Sequence, residues 1–478
     1  MSMTRLIHRC ILKAVCGGLL LACAGCNPKE WVCWAPDGQH AFVQGSDDTW
    51  LVDSSGRILG KAPDARAWLP DSRRVIAVRA VKPGSWDEYA GLLGPERVEK
   101  TIAAAASASQ AIQSYRGDWS KFGDSDLYKK WERAEIGDTY HGDWLLRSSL
   151  LYLKQTDPQL ITPVLQAMIS PEQDILPRIY EIIVCNALPT DAPSEQLLAR
   201  FPDEILWVSA SPSGQAVAFA VAEPSQPALY VISQAAGSRP VLVDTGEIEA
   251  DWSPDSQDLV YAKTTVPYNL LEKGVQLGTV TRRKVCGQDG QVLTAFEPAR
   301  DLAGVILGQN STTRVACLPD GRVLFAAAPM HVPALSSDEP GHFTLFAIRS
   351  GATPALEPVV QPDAVTHLPN RVDRFSLSPD KKKVAILDEE GQVSVVFLDT
   401  GEVHPVQQTK VYSDTGKYTQ LIPTWRTPDE LTCVVPVGDA SGSPGRAEVV
   451  LVNVNGQRAA ISKSWPDVMI KSLLPPHE

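Results

Sequence analysis

The sequence predicts a mainly β protein that folds as a seven-bladed β-propeller, with an α-helical insertion in the second blade. Three observations carry this prediction. A short turn motif recurs seven times along the 478 residues, an apolar run follows most copies, and one long segment does not match the repeat. Recurring units of this kind indicate a repeat fold, because each unit buries its apolar surface against its neighbours.

The repeated motif places proline and aspartate, or a close substitute, at a tight turn. The seven copies are Trp34–Gly38, Trp68–Ser72, Ala210–Gly214, Trp252–Ser256, Cys317–Gly321, Leu377–Lys381 and Arg426–Glu430. Proline presets φ at the first turn position, and the aspartate side chain can bond back to the backbone. The runs that follow, such as Val75–Val78 and Ala216–Val221, have the composition of strands. Each copy therefore predicts a β-hairpin.

A second set of apolar segments predicts two further strands in each unit. The clearest segments are Thr49–Asp53, Leu229–Ile232, Val395–Asp399 and Glu448–Asn453. Turns rich in Asp, Asn or Gly would lead from such a third strand to a fourth, and four strands per unit are typical of a propeller blade. Seven motifs predict seven blades. Their uneven spacing leaves six or eight blades as alternatives, and a β-sandwich with proline turns is the alternative fold.

These units resemble the Pro-Asp repeats of TolB-like propeller proteins, over residues 31–80 and 205–460. The resemblance implies periplasmic protein partners, including a peptide bound at the central channel. Similar blades precede an α/β-hydrolase domain in relatives of prolyl oligopeptidase. That domain requires a Gly-x-Ser-x-Gly elbow, which does not occur in this sequence.

Residues 85–200 do not match the repeat and are predicted to form a helical insertion of three to five helices. The helices are expected over residues 101–112, 143–153, 163–169 and 175–187. Alanine favours the first helix, and leucines spaced along one face favour the second. Pro177 lies near the start of the fourth segment, a position where proline is tolerated in helices.

The insertion follows the predicted second strand of blade two, Val75–Arg79. Because strands alternate in direction, joins between second and third strands share the face opposite the Pro-Asp turns. The other long joins, 264–276, 328–342 and 436–446, fall in the same class. We expect this loop-rich face to bind a partner. The candidate aromatic anchors are Trp119, Trp131 and Trp144; the alternative is that they pack within the helical layer.

Residues 1–25 are predicted to be a lipoprotein signal peptide. A basic start is followed by a short apolar stretch, Ala14–Ala24, that is too short to span a bilayer. Ala24-Gly25-Cys26 resembles the lipobox of bacterial lipoproteins, which implies that Cys26 is acylated and becomes the mature N-terminus. Cys23 is the alternative attachment site. An ordinary cleaved signal or a signal anchor is the alternative interpretation.

Acyl chains on Cys26 would attach the protein to a membrane of the bacterial cell envelope. Asn27 follows the candidate cysteine, which slightly favours the outer membrane, facing the periplasm. The formal net charge of −12 becomes −15 once Arg5, Arg9 and Lys13 leave with the signal. An acidic protein does not suit nucleic acid, so no nucleic-acid partner is predicted.

No catalytic, cofactor-binding or metal-binding residue is predicted. His141 and Asp143 could supply two metal ligands, but the preferred interpretation is a solvated loop. Cysteines outside the signal are scattered rather than arranged as a disulfide framework. Cys33, Cys317 and Cys433 lie in apolar strand patterns and are interpreted as small core residues.

The predicted organisation has five parts. They are a signal peptide at 1–25, blade one and the first part of blade two at 26–84, the helical insertion at 85–200, the remaining blades at 201–464, and a C-terminal tail at 465–478. The predicted function is a lipid-anchored envelope propeller that binds other proteins or peptides without catalysis. The alternatives are a hydrolase whose site is assembled from loops at the channel mouth, and a spacer or assembly factor.

Overall fold

The protein forms a seven-bladed β-propeller with a few helices, as the computed structural model shows. Each blade is a small antiparallel sheet of strands that follow one another in the chain, and in blade two the helical insertion separates the second strand from the third. The structure describes residues 32–44, 48–62, 64–119, 121, 126, 143–168, 176–188, 194–246, 250–266, 277–285, 292–296, 302–303, 315–329, 344–349, 355–359, 375–387, 392–408, 423–437 and 446–466. The predicted fold class and the count of seven blades are confirmed.

The strands follow the blades in chain order. Blades one to three contain β1 (Val32–Trp34), β2 (His40–Gln44), β3 (Thr49–Asp53), β4 (Ile58–Lys61), β5 (Ala65–Trp68), β6 (Arg74–Val81), β7 (Ile179–Asn186), β8 (Glu195–Phe201), β9 (Ile205–Ala210), β10 (Ala216–Val221), β11 (Ala228–Ser233) and β12 (Val241–Thr245). Blades four to seven contain β13 (Asp251–Trp252), β14 (Asp258–Val266), β15 (Leu277–Lys284), β16 (Val292–Phe296), β17 (Leu302–Ala303), β18 (Val315–Cys317), β19 (Arg322–Pro329), β20 (Thr344–Arg349), β21 (Ala355–Pro358), β22 (Phe375–Leu377), β23 (Lys383–Leu387), β24 (Gln392–Phe397), β25 (Val403–Gln408), β26 (Thr424–Thr427), β27 (Glu430–Val437), β28 (Arg446–Asn453) and β29 (Arg458–Ala460).

Hydrogen bonds within the repeated motif hold the turn between the first and second strands. In blade four, Ser253 Oγ donates to Asp255 Oδ1 at 2.6 Å and accepts from the backbone N–H of Asp258 at 2.9 Å. Ser378 makes the same two bonds in blade six, to Asp380 and from Lys383. Side-chain bonds of this kind satisfy backbone groups that the tight turn leaves unpaired. The motif therefore fixes the hairpin locally.

Neighbouring hairpins are joined to each other on one face of the ring. The backbone N–H of Asp37 in blade one donates to Ser72 Oγ in blade two at 3.0 Å, and Ser213 donates likewise to Ser256 Oγ at 2.9 Å. The motif tryptophan adds a second bond, because Trp68 Nε1 donates to the Cys33 carbonyl of blade one at 2.8 Å. The Pro-Asp turns therefore lie side by side on one face.

Blade five replaces the motif tryptophan with Cys317, and a polar network takes over the contacts between blades. The carboxylate Oδ2 of Asp251 in blade four accepts from the Cys317 N–H at 2.7 Å and from Lys381 Nζ at 3.1 Å. Lys381 of blade six also donates to the Cys317 carbonyl at 2.8 Å. Arg282 Nη2 reaches Cys317 Sγ at 3.2 Å. Charged side chains thus link three successive blades.

The ring is closed between blades seven and one by side-chain and backbone contacts. Trp34 Nε1 donates to Thr432 Oγ1 at 2.6 Å, and Arg426 Nε donates to the Gly38 carbonyl at 3.0 Å. After β29, a short 3-10 helix (Ser462–Ser464) leads to Trp465, whose Nε1 donates to the Gly56 carbonyl at 2.6 Å. Trp465, the predicted first residue of the tail, is buried between the two blades.

The helix predicted over residues 175–187 is wrong, because Ile179–Asn186 forms β7, the third strand of blade two. Residues 195–201 form the fourth strand of the same blade, so the end of the range 85–200 belongs to the propeller. Ile182 and Val184 are buried in the apolar core between blades two and three. Their β-branched side chains suit a strand, and burial in that core outweighs the helical pattern.

Candidate protein-binding face

The helical insertion joins β6 to β7, the second and third strands of blade two, as predicted. Val81 at the end of β6 pairs directly with Ile179 at the start of β7, so the chain leaves and re-enters the blade at one point. The other long joins also follow the strand that comes after the Pro-Asp turn, since they connect β14 to β15, β19 to β20 and β27 to β28. Most of their residues lie outside the described ranges. The face opposite the Pro-Asp turns is called the insertion-bearing face below.

Four helices of the insertion are described: α1 (Trp86–Ala90), α2 (Pro95–Ser114), α3 (Asp143–Thr156) and α4 (Pro158–Met168). The helices predicted over 101–112, 143–153 and 163–169 correspond to α2, α3 and α4. The Ser85 side chain caps α1 by accepting from the Glu88 N–H at 3.1 Å. Helix α2 begins with a proline. Proline lacks a backbone N–H, and this is tolerated in the first turn because N–H groups there make no hydrogen bond within the helix.

The insertion has its own apolar core, which continues into blade two. Its most buried members include Tyr89, Ile112, Leu150 and Ile161, and the core also contains Ile179 from β7. Burial raises the pKa of the Tyr89 hydroxyl. The helices therefore pack on one another and on the end of the blade.

The candidate aromatic anchors have different surroundings. Trp144 on α3 lies beneath the Arg97 guanidinium, 4.4 Å from the centre of its ring. Trp119 lies 5.0 Å from Tyr115, measured between ring centres, and packs partly buried against the insertion core. Trp131 lies outside the described residues. The two described tryptophans thus contribute to internal packing.

A two-bonded ion pair fastens α2 to the propeller. Arg97 Nη1 and Nη2 donate to the two carboxylate oxygens of Asp203 at 2.6 and 2.9 Å. Asp203 lies in the link between blades two and three, and its side chain is only 9% exposed. Paired bonds between a guanidinium and a carboxylate fix orientation as well as distance. The first turn of α2 is therefore held against a propeller link.

A second ion cluster fastens α1 to blade two. Arg200 on β8 donates from Nε and Nη2 to Glu181 Oε1 on β7, at 2.9 and 2.6 Å. Its Nη1 donates to Glu88 Oε1 on α1 at 2.9 Å. The hydrogen bond to Glu181 raises the pKa of Arg200, against the effect of partial burial. One arginine therefore ties two strands to the insertion.

Blades two and three together contribute an aromatic group to the same face. Phe201, Phe219 and Tyr230 pack with their ring centres 5.3 to 5.6 Å apart. The Tyr230 hydroxyl donates to Glu223 in the join between β10 and β11. Burial and this bond raise the pKa of Tyr230 above its usual range. The group fills the space where blades two and three meet.

The outer surface of α2 is exposed and uncharged over most of its length. Ile102 is 42% exposed, and Ala103, Ala106 and Gln110 are also exposed. No Asp, Glu, Lys or Arg occurs between Lys100 and Arg116. This strip, named the α2 outer surface (Ile102, Ala103, Ala106 and Gln110), is an uncharged patch on an acidic chain.

The predicted attachment residues Cys26 and Cys23 lie outside the described residues, as does His141. Asp143 begins α3. Within the described ranges, no group of three or more His, Cys, Asp or Glu could hold a metal ion. Cys317 and Cys433 are buried as predicted, whereas Cys33 is only partly buried. Among the helices that the structure describes, none is both long and apolar enough to cross a membrane.

The ion pairs that hold the insertion were not predicted from the sequence. Arg97 and Asp203 are 106 positions apart, and Arg200 and Glu88 are 112 positions apart. The available signal was Glu181, a single charge inside the apolar run Ile179–Asn186. A charged side chain in a buried strand is costly unless it is paired with an opposite charge or hydrogen-bonded, so Glu181 indicated an ion pair.

Comparison with known proteins finds similar solved structures at low sequence identity. No family model matches the sequence, and no curated protein matches it. The solved TolB from Acinetobacter baumannii is 14% identical, over 64% of this chain and 68% of its own, with a TM-score of 0.36. A putative TolB from Agrobacterium tumefaciens is 16% identical, over 56% and 84%, with a TM-score of 0.33. An oligogalacturonate lyase in complex with manganese is 13% identical, over 57% and 85%, with a TM-score of 0.29.

Proposed function

We propose that this chain is a lipid-anchored protein of the bacterial cell envelope that binds another envelope protein, or a peptide, without catalysis. The binding site is the insertion-bearing face. The observation that carries the proposal is the pair of ion contacts, Arg97–Asp203 and Glu88–Arg200–Glu181, that holds the helices on a rigid ring. A surface fixed before binding loses little conformational entropy on association, which favours recognition.

The exposed side chains of the insertion support a protein partner. The α2 outer surface is uncharged, and such surfaces suit the centre of a protein interface, where charged residues are depleted. The resemblance of the Pro-Asp units to TolB-like propellers supports a partner in the periplasm. The acidic balance of the chain does not favour nucleic acid.

A charge-introducing variant tests the binding surface. The double variant Ile102→Glu, Ala106→Glu is used in affinity capture from detergent-solubilised envelopes. We expect it to capture no partner, because the two substitutions place unpaired charges in the interface. Val241→Glu is the matched control, since Val241 is 62% exposed on the outer strand of blade three. Capture that is equal for both variants would exclude α2 as the recognition element.

A deletion variant tests the whole insertion. Because Val81 pairs directly with Ile179, an Asn-Gly turn can replace residues 82–178 and join β6 to β7 as a hairpin. We expect this variant to keep a propeller circular dichroism spectrum and to lose the partner. Retention of the partner at full yield would locate binding elsewhere on the ring.

The lipid anchor is tested separately. Cys26→Ala is expected to lose palmitate labelling and to leave the membrane fraction, because no cysteine remains at the mature N-terminus. Cys23→Ala is the control and is expected to remain labelled. The reverse pattern would make Cys23 the attachment site, and normal labelling of both variants would exclude this lipobox.

A further inference from the structure

The start of the propeller lies on the insertion-bearing face. In β1 the chain runs from Val32, which pairs with Val43, to Trp34, which enters the Pro-Asp turn. The turns of blades one and two are hydrogen-bonded to each other, so both blades present their Pro-Asp turns on one face. Val32 is at the other end of β1 and therefore lies on the face that carries the helices.

The chain between the proposed anchor and this point is short. From Cys26 to Val32 there are six residue steps, which span at most about 20 Å when fully extended. Blade two is taller, because the eight residues of β7 alone extend about 26 Å. A tether of this length cannot run past the ring to let the Pro-Asp face rest on a membrane. The anchored protein must turn its insertion-bearing face to the bilayer.

The helices then lie between the ring and the bilayer. The insertion belongs to blade two, which is next to blade one and hence next to the tether. The longest of its described helices, α2, extends about 30 Å over 20 residues. The α2 outer surface is uncharged, and residues 86–176 contain more acidic than basic side chains. Binding to anionic lipid headgroups needs clustered Lys and Arg, so the surface favours a protein over the lipid itself.

We propose that the insertion-bearing face is directed at the bilayer, and that the α2 outer surface docks on the surface-exposed part of an integral membrane protein. This inference rests on the proposed attachment at Cys26. It adds the orientation of the ring and the class of the partner. The short tether keeps α2 beside membrane-embedded partners and holds the Pro-Asp face towards the periplasm.

Energy transfer to lipid tests the orientation. The acylated full chain, with a dye on an unnatural amino acid at Ala106 or at Arg73, is placed in phosphatidylethanolamine–phosphatidylglycerol vesicles containing acceptor lipid. Ala106 is exposed on α2, and Arg73 is exposed on a Pro-Asp turn of the same blade. We expect transfer at Ala106 to exceed transfer at Arg73 by about twofold or more, since the blade separates them by roughly 26 Å.

A longer tether is the matched control. Twenty Gly/Ser residues inserted after Pro28 lengthen its average reach to about 25 Å and its maximum reach much further. The difference between Ala106 and Arg73 should then shrink while the protein stays on the vesicles. Equal transfer at both sites with the natural tether, in protein shown to carry palmitate, overturns the orientation. Absence of palmitate overturns the anchor instead, which separates the two failures.

Photo-crosslinking in cells tests the partner. A benzoylphenylalanine at Ala106 is expected to give a protein adduct that stays in the membrane after alkaline carbonate extraction, whereas the same probe at Arg73 gives none. Ile102→Glu should reduce that adduct at least several-fold. Adducts with lipid alone, or only with proteins released by carbonate, would overturn the assignment to an integral membrane protein.

Discussion

At the residue scale, the aspartate carboxylate of the Pro-Asp turn accepts the hydrogen bonds that hold the turn. In blade four, the Ser253 hydroxyl and the Gln257 N–H donate to Asp255. Hydrogen bonds from Ser253 and then from Gln257 lower the pKa of the exposed Asp255 below its usual value of 3.8, and they outweigh a small opposing effect of desolvation. The ionised form is therefore the one that the folded turn stabilises.

This shift predicts a pH-dependent stability. Because the folded-state pKa of Asp255 is lowered, its contribution is fully present above about pH 5 and is lost as the pH falls below about 4. Asp255→Asn should lower the melting temperature at pH 7, and the difference from the wild type should shrink at pH 3. The measurement is thermal unfolding followed by circular dichroism. Glu99→Gln, on the exposed side of α2, is the control, and equal pH profiles for both variants would contradict the expectation.

The local chemistry of the turns could be predicted from the motif, since Ser, Pro, Asp and Gly act within five residues. The partners of the motif side chains in the next blade could not be predicted. Nothing in the periodicity indicates that Trp68 Nε1 reaches the Cys33 carbonyl, or that Asp251 and Lys381 meet beside Cys317. These contacts depend on how blades pack, which a repeat pattern does not specify.

At the scale of elements, the insertion is held to the ring by ion pairs, of which Arg97–Asp203 is the more buried. Arg97→Met should destabilise the protein by about 3 kcal/mol, because it leaves the buried Asp203 carboxylate unpaired. The second change Asp203→Leu should restore part of that loss. Hydrogen exchange of α1 and α2, together with thermal unfolding, measures both effects.

The control for this prediction lies on the same helix. Lys100 pairs with Glu96, and both side chains are more than half exposed, so Lys100→Met should change stability by less than about 1 kcal/mol. If Arg97→Met is as mild as Lys100→Met, the ion pair does not fasten the insertion.

Three helices were predicted from composition and leucine spacing, and the strand β7 was mistaken for a fourth. Its sequence follows Pro177 and carries apolar residues at several spacings, so it satisfies a helical pattern as well as a strand pattern. The decisive fact is pairing with β6 in register from Arg74 with Asn186 to Val81 with Ile179. That pairing crosses the whole insertion, beyond the range of any local pattern.

At the scale of the molecule, the contact between blades seven and one depends on a close backbone approach. Gly56 has φ +84°, and a Cβ there would overlap the Ile461 carbonyl. Gly56→Ala should therefore push away the segment that ends at Trp465. We expect a lower melting temperature and faster hydrogen exchange in β1, β3 and β28.

A second glycine provides a control with the same backbone conformation. Gly321 also has φ +84°, but a Cβ there would meet nothing within 4 Å. Gly321→Ala carries the same conformational strain, of about 1 to 3 kcal/mol, without the overlap. A loss of stability that is equal in both variants would mean that the contact with Ile461 does not close the ring.

The insertion between β6 and β7 of blade two also affects the order in which the protein folds. Pairing β6 with β7 across an unstructured loop of about 100 residues costs about 4 kcal/mol in chain entropy. The insertion core removes much of this cost, because it contains Ile179 and packs against Val81. We therefore expect the helices to fold early and to nucleate the second blade. Blade one is the first blade in chain order and blade seven is the last, so assembly of the circle ends at the junction that Trp465 covers.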